Sequence, residues 1–157
     1  MKVAVGSDHR GYQAKEVVKS IITQLGHEYI DMGADSDHPM DYPDIAYAAG
    51  HAVSSQDVDR AVLICATGIG MCISANKIQG VRAALCHDEF TARVSRGHND
   101  SNVLCAAADQ CGEIVLRKMV EAWLTTDFSG GRHQRRVNKI AVIEQGRDPR
   151  ETPAQTS

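Results

Sequence analysis

Apolar and polar positions along this chain follow two rhythms. Short apolar runs at Lys2–Gly6, Glu28–Met32, Arg60–Cys65 and Val81–Cys86, and one within Ser101–Ala107, read as five strands. Between them the spacing turns helical. Val17, Val18, Ile21, Ile22 and Leu25 line one face of a helix over Tyr12–Leu25, and Gly26 stands at its C-terminal stop. After the turn-rich stretch from Asp35 to Pro43, Tyr42-Pro43-Asp44 leads into a helix reaching Ser54. Further helices are expected over Met71–Lys77, over Glu89–Arg96 capped by Asp88, and from Gly112 to Leu124. Gly130-Gly131 breaks the last of these, and a final helix covers Arg132–Gln145. Strand and helix alternate throughout, which predicts a three-layer, doubly wound, Rossmann-like α/β domain on a five-stranded parallel sheet. No repeat or linker divides residues 1–146, so they read as one domain. The polar tail, residues 147–157, carries two prolines and is expected to fray.

Composition sharpens this picture. Hydrophobic residues make up 43% of the 157 but aromatics only 4%, so the core must be Val, Ile, Leu and Ala, as in a sheet covered on both faces. The net charge of −3 gives no overall basicity for nucleic acid. The small basic cluster Arg132, Arg135, Arg136 and Lys139 suits a phosphate-sized ligand better than a polymer. Five cysteines, an odd number with no C-x-x-C pair, read as reduced thiols in a cytoplasmic protein. The chain opens directly on a strand with no signal-like segment, and no apolar run reaches membrane-spanning length.

The chemistry concentrates in Ala61-Val62-Leu63-Ile64-Cys65-Ala66-Thr67-Gly68-Ile69-Gly70. A strand ends in a thiol, a glycine-spaced loop follows, and a helix begins. Ligands of open α/β sheets bind at such carboxyl ends. The loop's N–H groups suit an anion, and the same positive end favours a thiolate beside it. Spacing removes other thiol and phosphate chemistries. A phosphatase loop would need arginine where Met71 stands, a P-loop would end in Gly-Lys-Ser/Thr, and Ser7-Asp8-His9-Arg10-Gly11 lacks the dinucleotide spacing. Proton transfer is the simplest remaining role for Cys65. Cys86 and Cys105 read as small buried hydrophobes. Asp8 and His9 fall on the same sheet edge as Cys65, where Asp8 serves equally as a helix cap or as a ligand for sugar hydroxyls. His98-Asn99-Asp100 is placed in the loop before the fifth strand, and His98 is suited to acid–base work near neutral pH. Arg132 and Arg136, four apart on a helix, form either a phosphate clamp or a basic stripe against solvent or a second subunit.

Several ordered stretches carry a resemblance. They are V-A-V-G-S-D-H-R-G-Y, M-D-Y-P-D, L-I-C-A-T-G-I-G-M followed by A-N-K-I-Q-G-V-R-A-A, S-R-G-H-N-D-S-N-V-L, and G-G-R-H-Q-R-R-V. Together they resemble the ribose-5-phosphate isomerase type B family, which includes galactose-6-phosphate isomerase subunits. The resemblance implies an aldose–ketose isomerase acting on a sugar phosphate through an enediolate, with no metal or other cofactor. It makes Cys65 the general base, in place of the glutamate that some members carry a few residues later. The Ala66, Thr67, Gly68, Ile69 and Gly70 backbone, with the Thr67 hydroxyl, becomes the anion hole. His98 opens the furanose ring, Asp8 and Asn99 bind sugar oxygens, and His9, Arg132 and Arg136 hold the phosphate. Tyr42 joins the substrate-binding set. The site lies between subunits of a homodimer or homotetramer, with His98 and Asn99 facing Cys65 across the interface. Two departures matter. The family's arginine after the fifth strand is Asp109 here, and its preceding glycine is Ala107. An acid at that position repels phosphate, unless Arg10 or Arg135 compensates. Isomerisation of another aldose or aldose phosphate, or non-catalytic sugar-phosphate binding, is the competing reading. Ala66 also replaces a usual glycine but keeps its N–H.

Overall fold

The computed structural model describes residues 1–151. The strands are β1 (Lys2–Ser7), β2 (Glu28–Asp31), β3 (Arg60–Cys65), β4 (Ala83–Leu85) and β5 (Val103–Ala107). The helices are α1 (Tyr12–Gln24), α2 (Tyr42–Ser54), α3 (Ile69–Ala75), α4 (Glu89–Asn99), α5 (Glu113–Thr125) and α6 (Arg132–Glu144). The sheet is wholly parallel in the order β2-β1-β3-β5-β4. The predicted three-layer α/β fold is the fold observed.

Alternation along the strands divides the core between two faces. Val62 and Ile64 of β3 point with Val5, Leu104 and Trp123 into the layer made with α1 and α5. Leu63 and Cys65 point the other way, with Ala4, Ala49, Met71 and Cys105, against α2 and α3. The edge strand β2 is mostly exposed and is tied to α1 by the buried Lys15, whose Nζ donates to Asp31 at 2.5 Å. Burial alone would raise the Asp31 carboxyl. Its bonds from Lys15, Lys19 and the Gly33 N–H outweigh that and hold it below the usual range.

Several boundaries differ from expectation. His98 and Asn99 do not lie in a loop. The helix α4 continues through them, anchored at its start by a capping box between Asp88 and Thr91 and closed by Asp100 in the left-handed region at φ 50°. Helix α3 begins two residues early, because left-handed Gly68 (φ 72°) caps it, and ends at Ala75. The adjoining Asn76 side chain bonds both ways to the Ala83 backbone along the free edge of β4. Arg82 N–H is likewise taken by Asn102 Oδ1. In the tail, Pro149–Glu151 form one 3₁₀ turn after Asp148, which bonds Arg150. The fraying expected over the remainder, 152–157, lies outside the described residues.

Candidate active site

Cys65 ends β3 at the carboxyl edge of the sheet and is 4% exposed. Its sulfur accepts a hydrogen bond from Gly68 N–H at 3.1 Å, which folds the loop back over the thiol. That fold requires glycine at 68. Beyond its positive φ, an added Cβ would stand 2.5 Å from Leu85 Cδ1 and 3.0 Å from the Ala106 backbone. Thr67 is exposed, and its Oγ1 accepts from Ile69 N–H at 3.3 Å. The β5 exit braces the loop, with Ala108 N–H donating to Cys65 O and Asp109 N–H to Ala66 O. Tyr42 lies across the start of α3, because a Cβ at Gly70 would meet its ring at 2.6 Å.

Asp8 and His9 follow β1 at the same edge. Asp8 N–H donates to Ile64 O, joining this turn to β3. Asp8 Oδ1 caps the turn by accepting from the Arg10 and Gly11 N–H groups at 3.0 Å, so the capping role is realised, with Oδ2 outside those bonds. His9 Nδ1 accepts from Met40 N–H at 3.3 Å, which puts the proton of the neutral ring on Nε2 and leaves it as a donor. Arg10 does not stand free to replace a missing arginine. It forms an ion pair with Asp109, NH2 to Oδ2 at 2.5 Å, across the rim of the loop.

The other predicted residues lie elsewhere. Helix α4 starts after β4, at the carboxyl edge, and returns to the amino edge where β5 begins. Its eleven residues span about 16 Å at the helical rise of ~1.5 Å per residue. His98 and Asn99, in its last turn, are therefore at the opposite edge of the sheet from Cys65. His98 stacks on His133 of α6, with ring centroids 4.0 Å apart and planes 9° from parallel. Arg132 and Arg136 flank that stack and are exposed. Within one chain the structure thus makes two groups. Cys65, Ala66, Thr67, Gly68, Ile69, Gly70, Asp8, His9 and Tyr42 form one, and His98, Asn99, Arg132 and Arg136 form the other.

His133 is a residue the sequence reading did not single out. It is 8% exposed, and burial, then the charges of His98, Arg132 and Arg136, hold its imidazole below the usual range. The available signal was helical spacing, since His133 and Val137 are four apart and both buried. Cys72, on α3, was not singled out either, and no side-chain contact among the described residues gives it a role in the site. Bonding with the Cys105 thiol pulls its own thiol down to about 7 against the opposing effect of burial, with help from Leu85 and Asn76. Ser7 Oγ, fully buried beside Asp8, has no hydrogen-bond partner among the described residues.

Comparison with known proteins identifies the family. A model of the Ribose/Galactose Isomerase family matches residues 3–140. The chain belongs to that family. A putative sugar phosphate isomerase of Bacillus subtilis is 48% identical over 146 residues, covering 92% of this chain and 98% of that protein. Ribose-5-phosphate isomerase B of Escherichia coli is 42% identical over 147 residues, covering 94% and 99%. A D-erythrulose-4-phosphate isomerase of Pectobacterium atrosepticum is 36% identical, covering 92% and 95%. Among solved structures, the Clostridium thermocellum ribose-5-phosphate isomerase B superposes with a TM-score of 0.91 at 42% identity, over 93% of this chain and 99% of that one. The Mycoplasma genitalium enzyme, solved with bound ribulose-5-phosphate, gives 0.87 at 37% identity, over 92% and 96%. No helix among the described residues is long and apolar enough to cross a membrane.

Proposed function

We propose that this protein is an aldose–ketose isomerase that interconverts ribose 5-phosphate and ribulose 5-phosphate, with Cys65 as the general base. The observation that carries this reading is the Cys65 sulfur seated under a loop of backbone donors at the end of β3, in a family whose members include ribose-5-phosphate isomerases B. The thiolate takes the proton from sugar C2, and the electron pair moves through C1 onto the aldehyde oxygen. The resulting enediolate oxygen is met by those N–H groups of the Ala66–Gly70 loop that the Gly68–Cys65 and Ile69–Thr67 bonds leave free, and by the Thr67 hydroxyl, which is where such donors lower a barrier most. The proton returns from Cys65 to C1, and the O2 hydroxyl proton passes to O1, which leaves a ketone at C2. Asp8 Oδ2 and Asn99 bind sugar oxygens. His9 Nε2–H, Arg132 and Arg136 hold the phosphate.

His98 opens the ring, and we read it, together with Asn99, Arg132 and Arg136, as coming from a second copy, because their own chain holds them away from Cys65 at the far edge of the sheet. The surface beside the loop supports such an assembly. Tyr47 (61% exposed), Ile73 (57%) and Ile69 (50%) present apolar side chains on α2 and α3, which is unfavourable unless covered. We read the working enzyme as a homodimer or homotetramer of one-domain chains, residues 1–146. The five unpaired cysteines suit the reducing cytoplasm.

Replacing Cys65 with alanine (Cys65→Ala) is expected to lower kcat by about 100-fold or more while substrate still binds. A variant that kept most of its kcat would rule out the proposed base. Solvent deuterium entering C2 of the aldose separates an isomerase from a mere binder, which would incorporate none.

One observation favours a second reading, an aldose phosphate of another chain length. The Asp109–Arg10 pair puts a carboxylate on the rim and occupies its nearest guanidinium. A panel of tetrose, pentose and hexose phosphates, with the free sugars beside them, decides between the two by kcat/KM.

A further inference from the structure

A polar cavity of about 500 Å³ lies at the amino edge of the sheet, away from the Cys65 loop. Its walls carry three guanidinium groups, Arg60, Arg82 and Arg96, and two carboxylates, Asp59 and Asp100, with Gln56 at the side. On the wall itself three guanidiniums face two carboxylates, and of these only Asp100 is ion-paired to arginine. Arg82 NH2 and Arg96 NH1 share the one carboxylate of Asp100, at 2.8 Å each. Asp59 spends Oδ2 on the Lys2 N–H at 2.7 Å. Arg60 makes no ion pair among the described residues, and its NH1 donates only to the Trp123 and Leu124 carbonyls at the end of α5. Asp127 acts on Arg60 only at longer range.

Two further features show that this wall is under-satisfied. Arg96 is 6% exposed, yet its Nε has no hydrogen-bond partner among the described residues. A buried donor left unmade is costly, and structures seldom keep one without a ligand, ion or water to meet it. Burial, and then the charge of Arg96, pull the Arg60 guanidinium down to about 10. Asp100, Asp127 and Asp59 oppose this through space, but none pairs directly with Arg60, which leaves that guanidinium without a bonded counter-charge among the described residues.

We propose that this cavity is a second oxyanion site, one that takes the phosphate group of a small molecule between Arg60, Arg82 and Arg96. Guanidinium forks match phosphate oxygens and pair with them through charge-assisted bonds. The cavity is large enough for a phosphomonoester rather than the bare ion alone. The site is distinct from the proposed catalytic phosphate clamp, since neither Arg132 nor Arg136 lines it. It adjoins the α4 terminus that carries His98 and Asn99, because the Arg96–Asp100 pair closes that terminus.

The test uses the full chain and two probes, inorganic phosphate and glycerol 3-phosphate. Titrations are followed through the arginine side-chain Nε–H signals by NMR, which report on this wall even where phosphate also fills the catalytic site. The Arg82 and Arg96 signals are expected to move saturably. Arg60→Gln should weaken that response at least about tenfold in Kd. Because Arg60 also anchors α5, a second variant guards against a folding defect. Gln56→Glu, at an exposed position, adds a negative charge to the cavity and should weaken the same response while leaving the KM for the sugar phosphate unchanged. Tighter binding of glycerol 3-phosphate than of inorganic phosphate identifies a phosphomonoester as the natural ligand, and the reverse order identifies the free ion. Arg82 and Arg96 signals that ignore both probes, or a Gln56→Glu protein with unchanged Kd, would overturn the proposal.

Discussion

Asp109→Asn removes one charge from the site's rim and leaves the shape of that side chain intact. Its partner Arg10 is then released toward an incoming anion. KM for phosphorylated sugars should fall several-fold, with little change for the free sugars. Both groups are well exposed, so stability should move by less than about 1 kcal/mol. Equal KM values in variant and parent would mean that the pair lies outside the substrate's reach. Asp109 stood out only through the family resemblance, which puts an arginine at that position. Its pairing with Arg10, 99 residues away, was not readable, because no local pattern encodes so distant a contact. His9 is similar. Its place after β1 followed from the sequence, but its proton position rests on the Met40 N–H.

Elements are held to one another by a few buried polar contacts as well as by the apolar core. The clearest joins α1 to β2, where Lys15, with a 1% exposed side chain, meets Asp31. Asp31→Asn would leave that ammonium buried with only Glu16 nearby, at 3.6 Å. We expect a loss of about 2–3 kcal/mol by urea or thermal unfolding, since stranding a buried charge costs more than a surface pair. The pH dependence follows from the depressed carboxyl of Asp31. Its contribution is complete above the unfolded carboxyl pKa near ~4 and is lost as the pH falls through the lower folded value. The stability of the Asn variant should therefore be flatter across that acid window. A loss below about 1 kcal/mol would show that Lys15 finds other partners. The helical and strand rhythms had already located α1 and β2. The reach of α4 past Arg96 was hidden, because Gly97, His98 and Asn99 are poor helix formers in isolation. Packing against α5 and α6, and the Ser129 N–H to Gly97 O bond, carry the helix through them.

For the whole molecule the decisive matter is that one chain separates Cys65 from His98. Cys65→Ala and His98→Asn proteins should each be nearly inactive alone. Mixed and refolded together, they should recover about a quarter of parental activity, because half of randomly paired dimers have one intact site of two. No recovery, with mixed dimers shown to form, would place both residues in one site of a single chain. The sequence by itself determined the strand and helix alternation, the two-faced apolar pattern and the placing of Cys65 at a strand end before a glycine-spaced loop. All of these are local, written in spacings of two to four residues. Only the tertiary structure decided the β2-β1-β3-β5-β4 order, the return of α4 to the far edge, the Arg10–Asp109 pair and the three-arginine cavity. Each depends on groups distant in the chain being brought together by burial of the sheet's two faces, a free energy that belongs to the packed whole and to no single segment.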